Sequence, residues 1–357
     1  MANEQTARLG FIGAGWWATS NHMPLLAERN DVEMVGVCRL GAGELQQVKD
    51  RFNFSFATED YRELLTHCEL DGVIVSSPHT LHYEHARAAL SAGLHVMCEK
   101  PFTTQADQAR ELVEMADQSG LHLLIPYGWH YKPFIQEARR LMKQRRVGNI
   151  EYILCHMASP IRGLLSGEGM KIDDISGQSS DNLFEPDSAT WANPDVAGGG
   201  YGHAQISHSA GMMFWLTGLR AQSVFSMMAA PGSEVDLYDA ISVRFDCGAI
   251  GTVSGAGSVP TDQPFQVDIR IFGSEGMLLI DCERARVHLR RNDGEHLSVD
   301  VATDAGSYEC NGPPNNFADL ILGKSQNNLS TGEYALRSVE LLDAAYRSAR
   351  SGQVESV

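Results

Sequence analysis

The chain has 357 residues, 43 % of them hydrophobic and 20 % charged, and its 28 Lys and Arg against 45 Asp and Glu leave a formal charge of −17. At roughly 150 residues per domain that length gives about two domains, enough to bury a core without metal or disulfide staples. The acidic balance excludes a general nucleic-acid or anionic-membrane partner, since both need a basic face.

Seven cysteines are scattered with no C-x-x-C pair, which excludes a disulfide framework and a cysteine zinc site and points to a reducing, cytoplasmic setting. The opening MANEQTARLGFIGAG lacks a basic stretch followed by an apolar one, so no signal peptide is expected. The longest uncharged run, 196–219, holds six glycines with His203, Gln205 and His208 and is too polar to span a membrane.

Along the first 126 residues short apolar runs alternate with amphipathic segments. Strands are predicted at 8–13, 32–38, 72–76, 94–98 and 121–126, and helices at 17–29, 44–52, 61–66, 83–90 and 105–118. Apolar strands alternating with helices imply a doubly wound parallel sheet covered on both faces. From 127 the texture changes. A helix is predicted at 133–143 and a strand at 149–158, followed by a long loop at 163–200. Further strands at 224–228, 240–245, 249–254, 266–273, 277–280 and 286–289 look antiparallel, and a helix at 333–351 ends the pattern.

The first chemical signal is Gly13-Ala14-Gly15-Trp16-Trp17-Ala18, a G-x-G-x-x-A turn between a predicted strand and a predicted helix. Gly13 permits the tight turn, Gly15 bares backbone N–H groups to a pyrophosphate, and Ala18 keeps the helix close to the sheet. A dinucleotide is expected there. At the end of the second strand stands Arg39, where an acid would hold the ribose diol. Its guanidinium suits a 2′-phosphate, which favours NADP over NAD.

Ser76-Ser77-Pro78-His79-Thr80-Leu81-His82, followed by Glu99-Lys100-Pro101 just after a strand, forms a second signal. With the glycine turn it resembles the glucose–fructose oxidoreductase / inositol dehydrogenase / MocA-like (Gfo/Idh/MocA) family. The resemblance covers the whole first domain and resumes at Gly198-Gly199-Gly200, at His208 and at Ala345-Tyr346-Arg347-Ser348. It implies an NAD(P)-binding Rossmann domain over 1–126 and a C-terminal α+β domain over 127–330. The latter is built on a large open, mainly antiparallel sheet whose outer face makes homodimers or homotetramers. A C-terminal helix over 331–357 would pack back near the first domain. It also implies NAD(P)(H) as cofactor, contacted by Gly13, Gly15, Trp16, Trp17, Arg39, Ser76, Ser77, Pro78, His82, Glu99 and Lys100. Ser77, Pro78 and His82 would lie near the nicotinamide. Glu99 would orient Lys100, and His208 would face the substrate. The sequence departs from the family at Ala204 and Gly211, where aspartates are usual, and at Ile206, where a glycine is usual. His203 adjoins the vacant acid position.

Oxidising a carbinol requires its hydroxyl proton to leave as the hydride does, so a base must be held beside the reacting carbon. Lys100 and His208 are the expected proton-relay pair. Tyr127 and His130 are pocket candidates, Trp191 and Tyr201 suit stacking on a sugar face, and Arg162, His130 or Lys132 suit an anionic substituent. The bland reading of 159–194, with its acids Asp173, Asp174, Asp181, Glu185 and Asp187, is a surface lid or oligomer arm. No metal is expected, because the spacing of His79, His82 and His85, and of His203 and His208, does not match a zinc site. The resulting expectation is an NAD(P)-dependent oxidoreductase acting on a secondary alcohol of a sugar, sugar derivative or cyclitol. Two alternatives stand beside it: a glycoside hydrolase working through transient oxidation and elimination, and a non-catalytic NAD(P)-sensing regulator.

Overall fold

The computed structural model describes residues 6–169, 182–260, 262, 263, 265–299, 301, 302 and 305–357; Asp173, Asp174 and Asp181 of the acidic run lie outside them. The chain divides into two compact units.

The described residues of Met1–Gly128, Lys171–Asp187 and Cys310–Leu336 form the first unit. Its strands are β1 (Ala7–Ile12), β2 (Val32–Cys38), β3 (Phe56–Thr58), β4 (Gly72–Val75), β5 (His95–Cys98) and β6 (Leu123–Leu124). They form a parallel sheet in the order β3-β2-β1-β4-β5-β6, the doubly wound dinucleotide arrangement. Every residue of β4 is buried, as expected for a strand covered on both faces. Ile12 pairs with Val75 and Val75 with Cys98, so β1, β4 and β5 end level. Gly13, Ser76 and Glu99 therefore follow one another across the carboxyl edge, beside the switch point where strand order reverses.

After β1 the chain makes a wide π-type turn over Ala18–His22 and continues as a helix over Met23–Ala27, with Pro24 in its first turn, where a missing N–H costs little. The sequence pattern assigns 310–330 to the second domain, but the structure puts this stretch in the first. Helix Gly312–Ile321 inserts Phe317, Ala318 and Leu320 into the core of Leu9, Phe11, Ile74 and Met97. A Cβ on Gly72 would lie 2.7 Å from Ile321 and 3.0 Å from Phe317, so that glycine makes room for the helix.

The described residues of Trp129–Met170, Ser188–Glu309 and Arg337–Val357 form the second unit. Its strands are β7 (Ile150–Ala158), β8 (Ala221–Ala229), β9 (Tyr238–Phe245), β10 (Ile250–Ala256), β11 (Gln266–Gly273), β12 (Gly276–Asp281), β13 (Arg286–Arg291), β14 (Leu297–Val299) and β15 (Glu355–Ser356). Among the described residues they make a nine-stranded sheet, ordered β14-β13-β12-β11-β7-β10-β9-β8-β15. Only β7 and β10 pair in parallel, and the other pairs are antiparallel. Helices Pro133–Lys143 and Ser207–Thr217 pack on one face and on each other, and the second is buried on every side. On the opposite face, alternate residues of β8 and β9, among them Phe225, Met227, Ser242 and Arg244, are exposed together with Ile250 of β10. From Arg337 the last helix, Gly332–Ser351, belongs to this unit, and β15 closes the sheet edge beside β8. No helix among the described residues is long and apolar enough to cross a membrane, and none of the seven cysteines is in a disulfide.

Candidate active site

The glycine turn of the first unit is shaped by two different needs. Gly13 has φ +91°, and a Cβ there would fall 2.4 Å from the backbone of Ser76 and Ser77, so close packing of the β1 turn on the β4 turn demands glycine. A Cβ on Gly15 would meet nothing within 4 Å. No described residue crowds a Cβ at Gly15, and the space over its backbone is open, as a pyrophosphate requires. Thr19 locks the turn from behind, its N–H and hydroxyl both donating to the Gly15 carbonyl at 3.1 and 2.9 Å.

Arg39, at the end of β2, donates from Nη1 to the Ala14 carbonyl at 2.9 Å and from Nε to the Leu40 carbonyl at 3.1 Å. The Phe184 ring stacks on its guanidinium at 4.4 Å. No carboxylate among the described residues pairs with it. Burial lowers its pKa, against the pull of Glu44. It is a half-buried cation tied to the glycine turn.

Lys100 follows β5 and is buried, 9 % exposed. Burial pulls its pKa down to about 8, against the opposing charges of Glu99 and Cys310. The Lys100–Pro101 bond is cis. Glu99 holds the loop. Its carboxylate accepts from the Trp17 indole at 2.8 Å, from His22 Nε2 at 2.6 Å and from the Lys100 backbone N–H at 3.0 Å. Burial pushes the Glu99 carboxyl up, but the His22 hydrogen bond and charge, with Lys100, hold it below the usual range. His22 is the residue sequence reasoning missed: it sits on the helix after the glycine turn, 77 positions from Glu99, with no motif to mark it. Trp17 likewise spends its N–H on Glu99.

His82 is fully buried, with Nδ1 2.7 Å from the Pro101 carbonyl and Nε2 2.8 Å from the Ser77 carbonyl. Burial lowers its pKa. Expected as a cofactor contact, it stands between the Ser76–Pro78 loop and the Lys100–Pro101 loop, where a neutral ring, with one N–H, donates to one of the two carbonyls at a time. His85 Nδ1 meets the Ser77 hydroxyl at 2.8 Å.

In the second unit, His208 stands in the first turn of helix Ser207–Thr217, ringed by aromatics. The Trp129 ring centroid lies 5.7 Å and that of Tyr308 5.0 Å from its own, both edge-on, and Trp129 and Tyr308 are 4.8 Å apart. The Trp129 indole donates to the Gly306 carbonyl at 3.0 Å, which fixes the cage. Neither aromatic carries a sequence signal, since both reach His208 from distant parts of the chain. His203 is buried beside Tyr346, ring centroids 4.6 Å apart. Burial pulls its pKa down to about 4 despite Asp236, so its ring is neutral at physiological pH.

The remaining candidates separate. Tyr127 is buried in the first unit, its N–H on the Ile125 carbonyl. His130 is fully buried and stacks on Trp215 at 4.4 Å, a core position rather than a pocket wall. Tyr201 is also buried, its hydroxyl 3.0 Å from that of Ser159, and so has no face to offer a sugar. Arg162 donates to the Pro231 carbonyl at 2.9 Å, at the β8–β9 connection. Trp191 ends a short helix, Ser188–Trp191, half-buried. Among the described residues no group of three or more His, Cys, Asp or Glu is disposed to hold a metal.

A parallel sheet of this strand order, with an open glycine turn and a buried lysine on its carboxyl edge, defines a dinucleotide-binding unit, and a second unit built on an open mixed sheet accompanies it. Comparison with known proteins agrees. The model of the oxidoreductase family with an NAD-binding Rossmann fold (Gfo/Idh/MocA) matches residues 7–127, and that of the Gfo/Idh/MocA C-terminal domain matches 135–279. The chain belongs to the Gfo/Idh/MocA oxidoreductase family.

It is 34 % identical over 155 residues to D-glucoside 3-dehydrogenase of Escherichia coli K12, a stretch that spans 43 % of each chain. It is 23 % identical over 344 residues, 95 % of each chain, to scyllo-inositol 2-dehydrogenase (NADP(+)) IolU of Bacillus subtilis. Among solved structures, the WlbA dehydrogenase of Chromobacterium violaceum, in complex with NADH and UDP-GlcNAcA, superimposes with a TM-score of 0.76 at 22 % identity. That superposition covers 100 % of this chain and 97 % of the other.

Proposed function

We propose that this protein is an NAD(P)-dependent dehydrogenase acting on a secondary alcohol of a sugar, sugar derivative or cyclitol. The observation that carries the reading is Lys100: a buried ammonium with its pKa drawn down to about 8, next to a carboxylate held by three donors, on the sheet edge that carries the open glycine turn. The names of the glucoside and inositol relatives support the substrate class. The cofactor supplies hydride chemistry when bound.

The backbone of Gly13–Gly15 and the helix after it bind the pyrophosphate. Arg39 takes the 2′-phosphate, so NADP is preferred. Glu99, fixed by Trp17 and His22, sets the Lys100 loop, and Lys100 Nζ accepts the substrate hydroxyl proton, with His208 as its partner in the relay. His82 acts through the two loops it joins. A panel of sugars, glycosides and cyclitols tests the reading: substrate-dependent appearance of reduced cofactor supports it, and tight cofactor binding without turnover of any member refutes it in favour of a sensing role. Ala204, buried where the family carries an acid, favours keeping the transient-oxidation hydrolase as the second reading, which the same panel separates by glycoside cleavage without net cofactor reduction.

The exposed strip of Phe225, Met227 and Ile250 on the open sheet face supports assembly into a homodimer or homotetramer. Seven cysteines, none in a disulfide, suit a cytoplasmic, reducing setting.

A further inference from the structure

Within the second unit two aspartates outside the proposed chemistry are buried together. Asp236 precedes β9 and Asp239 lies in it, 8 % and 4 % exposed. The Asp236 carboxylate accepts from Gly200 N–H at 2.7 Å, from Gly202 N–H at 2.8 Å and from the Tyr346 hydroxyl at 2.9 Å. Its own carbonyl accepts from Tyr201 N–H at 2.8 Å. The glycines are there for this seat: a Cβ on Gly200 would fall 2.1 Å from the Asp236 carbonyl oxygen, and Cβ atoms on Gly199 and Gly202 would fall 2.4 and 2.7 Å from the Tyr346 hydroxyl. The Gly-Gly-Tyr-Gly turn clamped in this way leads through Gly202–Ile206 into the helix that carries His208.

Asp239 differs. Neither of its carboxyl oxygens meets an N–H or O–H donor among the described residues, and it is buried close enough to Asp236 for the two carboxyls to influence each other. Two neighbouring buried carboxyls are not readily ionised together, and Asp239, the one without a donor, is the one that keeps a proton. We propose that Asp239 and Asp236 share one proton, donated by Asp239, and that this pair is the positioning device that sets the turn ahead of His208. Its catalytic consequence rests on the reading of His208 given above. The ionisable groups facing the pair are Tyr346 from the last helix and Tyr201 and His203 from the turn. Burial first, then the charge and hydrogen bond of Asp236, push the Asp239 carboxyl well above the usual range.

An acid whose folded pKa is raised takes up a proton on folding, so the stability it confers is full below about pH 4 and declines as pH rises toward the folded value. An asparagine at 239 donates the same hydrogen bond and is neutral in both states. Thermal unfolding of the full chain without ligands should show Asp239→Asn coincident with wild type near pH 4 and increasingly more stable as pH rises. Asp236→Asn and Asp239→Leu should lower kcat about 10- to 100-fold, the scale of a mis-set reacting group, while leaving the dissociation constant of the dinucleotide unchanged, and Asp239→Asn should restore kcat. An unfolding temperature for Asp239→Asn that tracks wild type at every pH overturns the shared proton, and an undiminished kcat in Asp236→Asn overturns the positioning role. If wild type turns over no member of the sugar panel, the dehydrogenase reading fails, and the unfolding comparison still decides the pair.

Discussion

Replacing Lys100 by Met sets stability against turnover at one position. Lys100 is buried, and desolvation lowers its pKa from an ordinary 10.5 to about 8. At 1.36 kcal/mol per pH unit that is about 3 kcal/mol of lost preference for the charged form. The folded chain therefore holds this proton less tightly than the unfolded chain. Stability rises with pH between about 8 and 10.5, and the whole penalty is present below that window. Met keeps the apolar stem and removes the charge. At pH 7 the variant should be more stable than wild type by up to about 3 kcal/mol, the gap closing as pH rises toward 10.5. Turnover should fall by about 100- to 10,000-fold, the scale of a lost proton-transfer group. In the oxidation direction the wild-type kcat/KM should climb about tenfold per pH unit and level off near 8, and the variant profile should be flat. Calorimetric unfolding and initial-rate assays across pH read both. A variant less stable than wild type at pH 7, with no pH-dependent gap, refutes the desolvated-lysine argument, and undiminished turnover removes Lys100 from the mechanism.

Arg39→Asp should weaken NADPH binding by about tenfold or more and improve NADH binding, since the 2′-phosphate loses its cation and the ribose diol gains an acceptor; calorimetric titration of both coenzymes checks it, and an unaltered preference would refute the assignment. His208→Gln should lower kcat about 100-fold with dinucleotide affinity intact, which steady-state kinetics and fluorescence titration distinguish. Gly13→Ala should destabilise the first unit by about 1–3 kcal/mol, through strain at positive φ and the clash with the Ser76 backbone, measured by chemical unfolding.

The sequence carries the parallel sheet well because its strands are apolar throughout and regularly spaced, so that 32–38 and 133–143 are read with the bounds the structure gives, Val32–Cys38 and Pro133–Lys143. It hides helix Gly312–Ile321, where Pro313, Pro314 and paired asparagines look like a loop and the apolar face completes a core built from residues far away in the chain. Strands of two or three residues, such as β3, β14 and β15, are too short to show a period and exist only through their neighbours. At the site, motif residues are visible but their uses are not. Glu99 and Lys100 stand out in the sequence, whereas the grip of Trp17 and His22 on Glu99 is a long-range contact. His208 is visible and its Trp129–Tyr308 surround is not. Tyr201 looks like a stacking platform because nothing in a sequence distinguishes a buried tyrosine bonded to Ser159 from an exposed one. The triple glycine marks the family resemblance, and in the structure Cβ atoms at Gly199 and Gly200 would strike Tyr346 and Asp236.

The central claim is that a pyridine dinucleotide rests on the open backbone at Gly15. A Cβ there meets no protein atom within 4 Å, so Gly15→Val is expected to leave the fold alone and to block what sits above the turn. Calorimetric titration of NADPH and NADH into both proteins tests this directly. The account predicts wild-type binding, a loss of about 100-fold or more in the variant, about 3 kcal/mol, and matching unfolding temperatures without ligand. Wild-type protein that binds neither coenzyme, or a variant that binds as tightly as wild type, would contradict it.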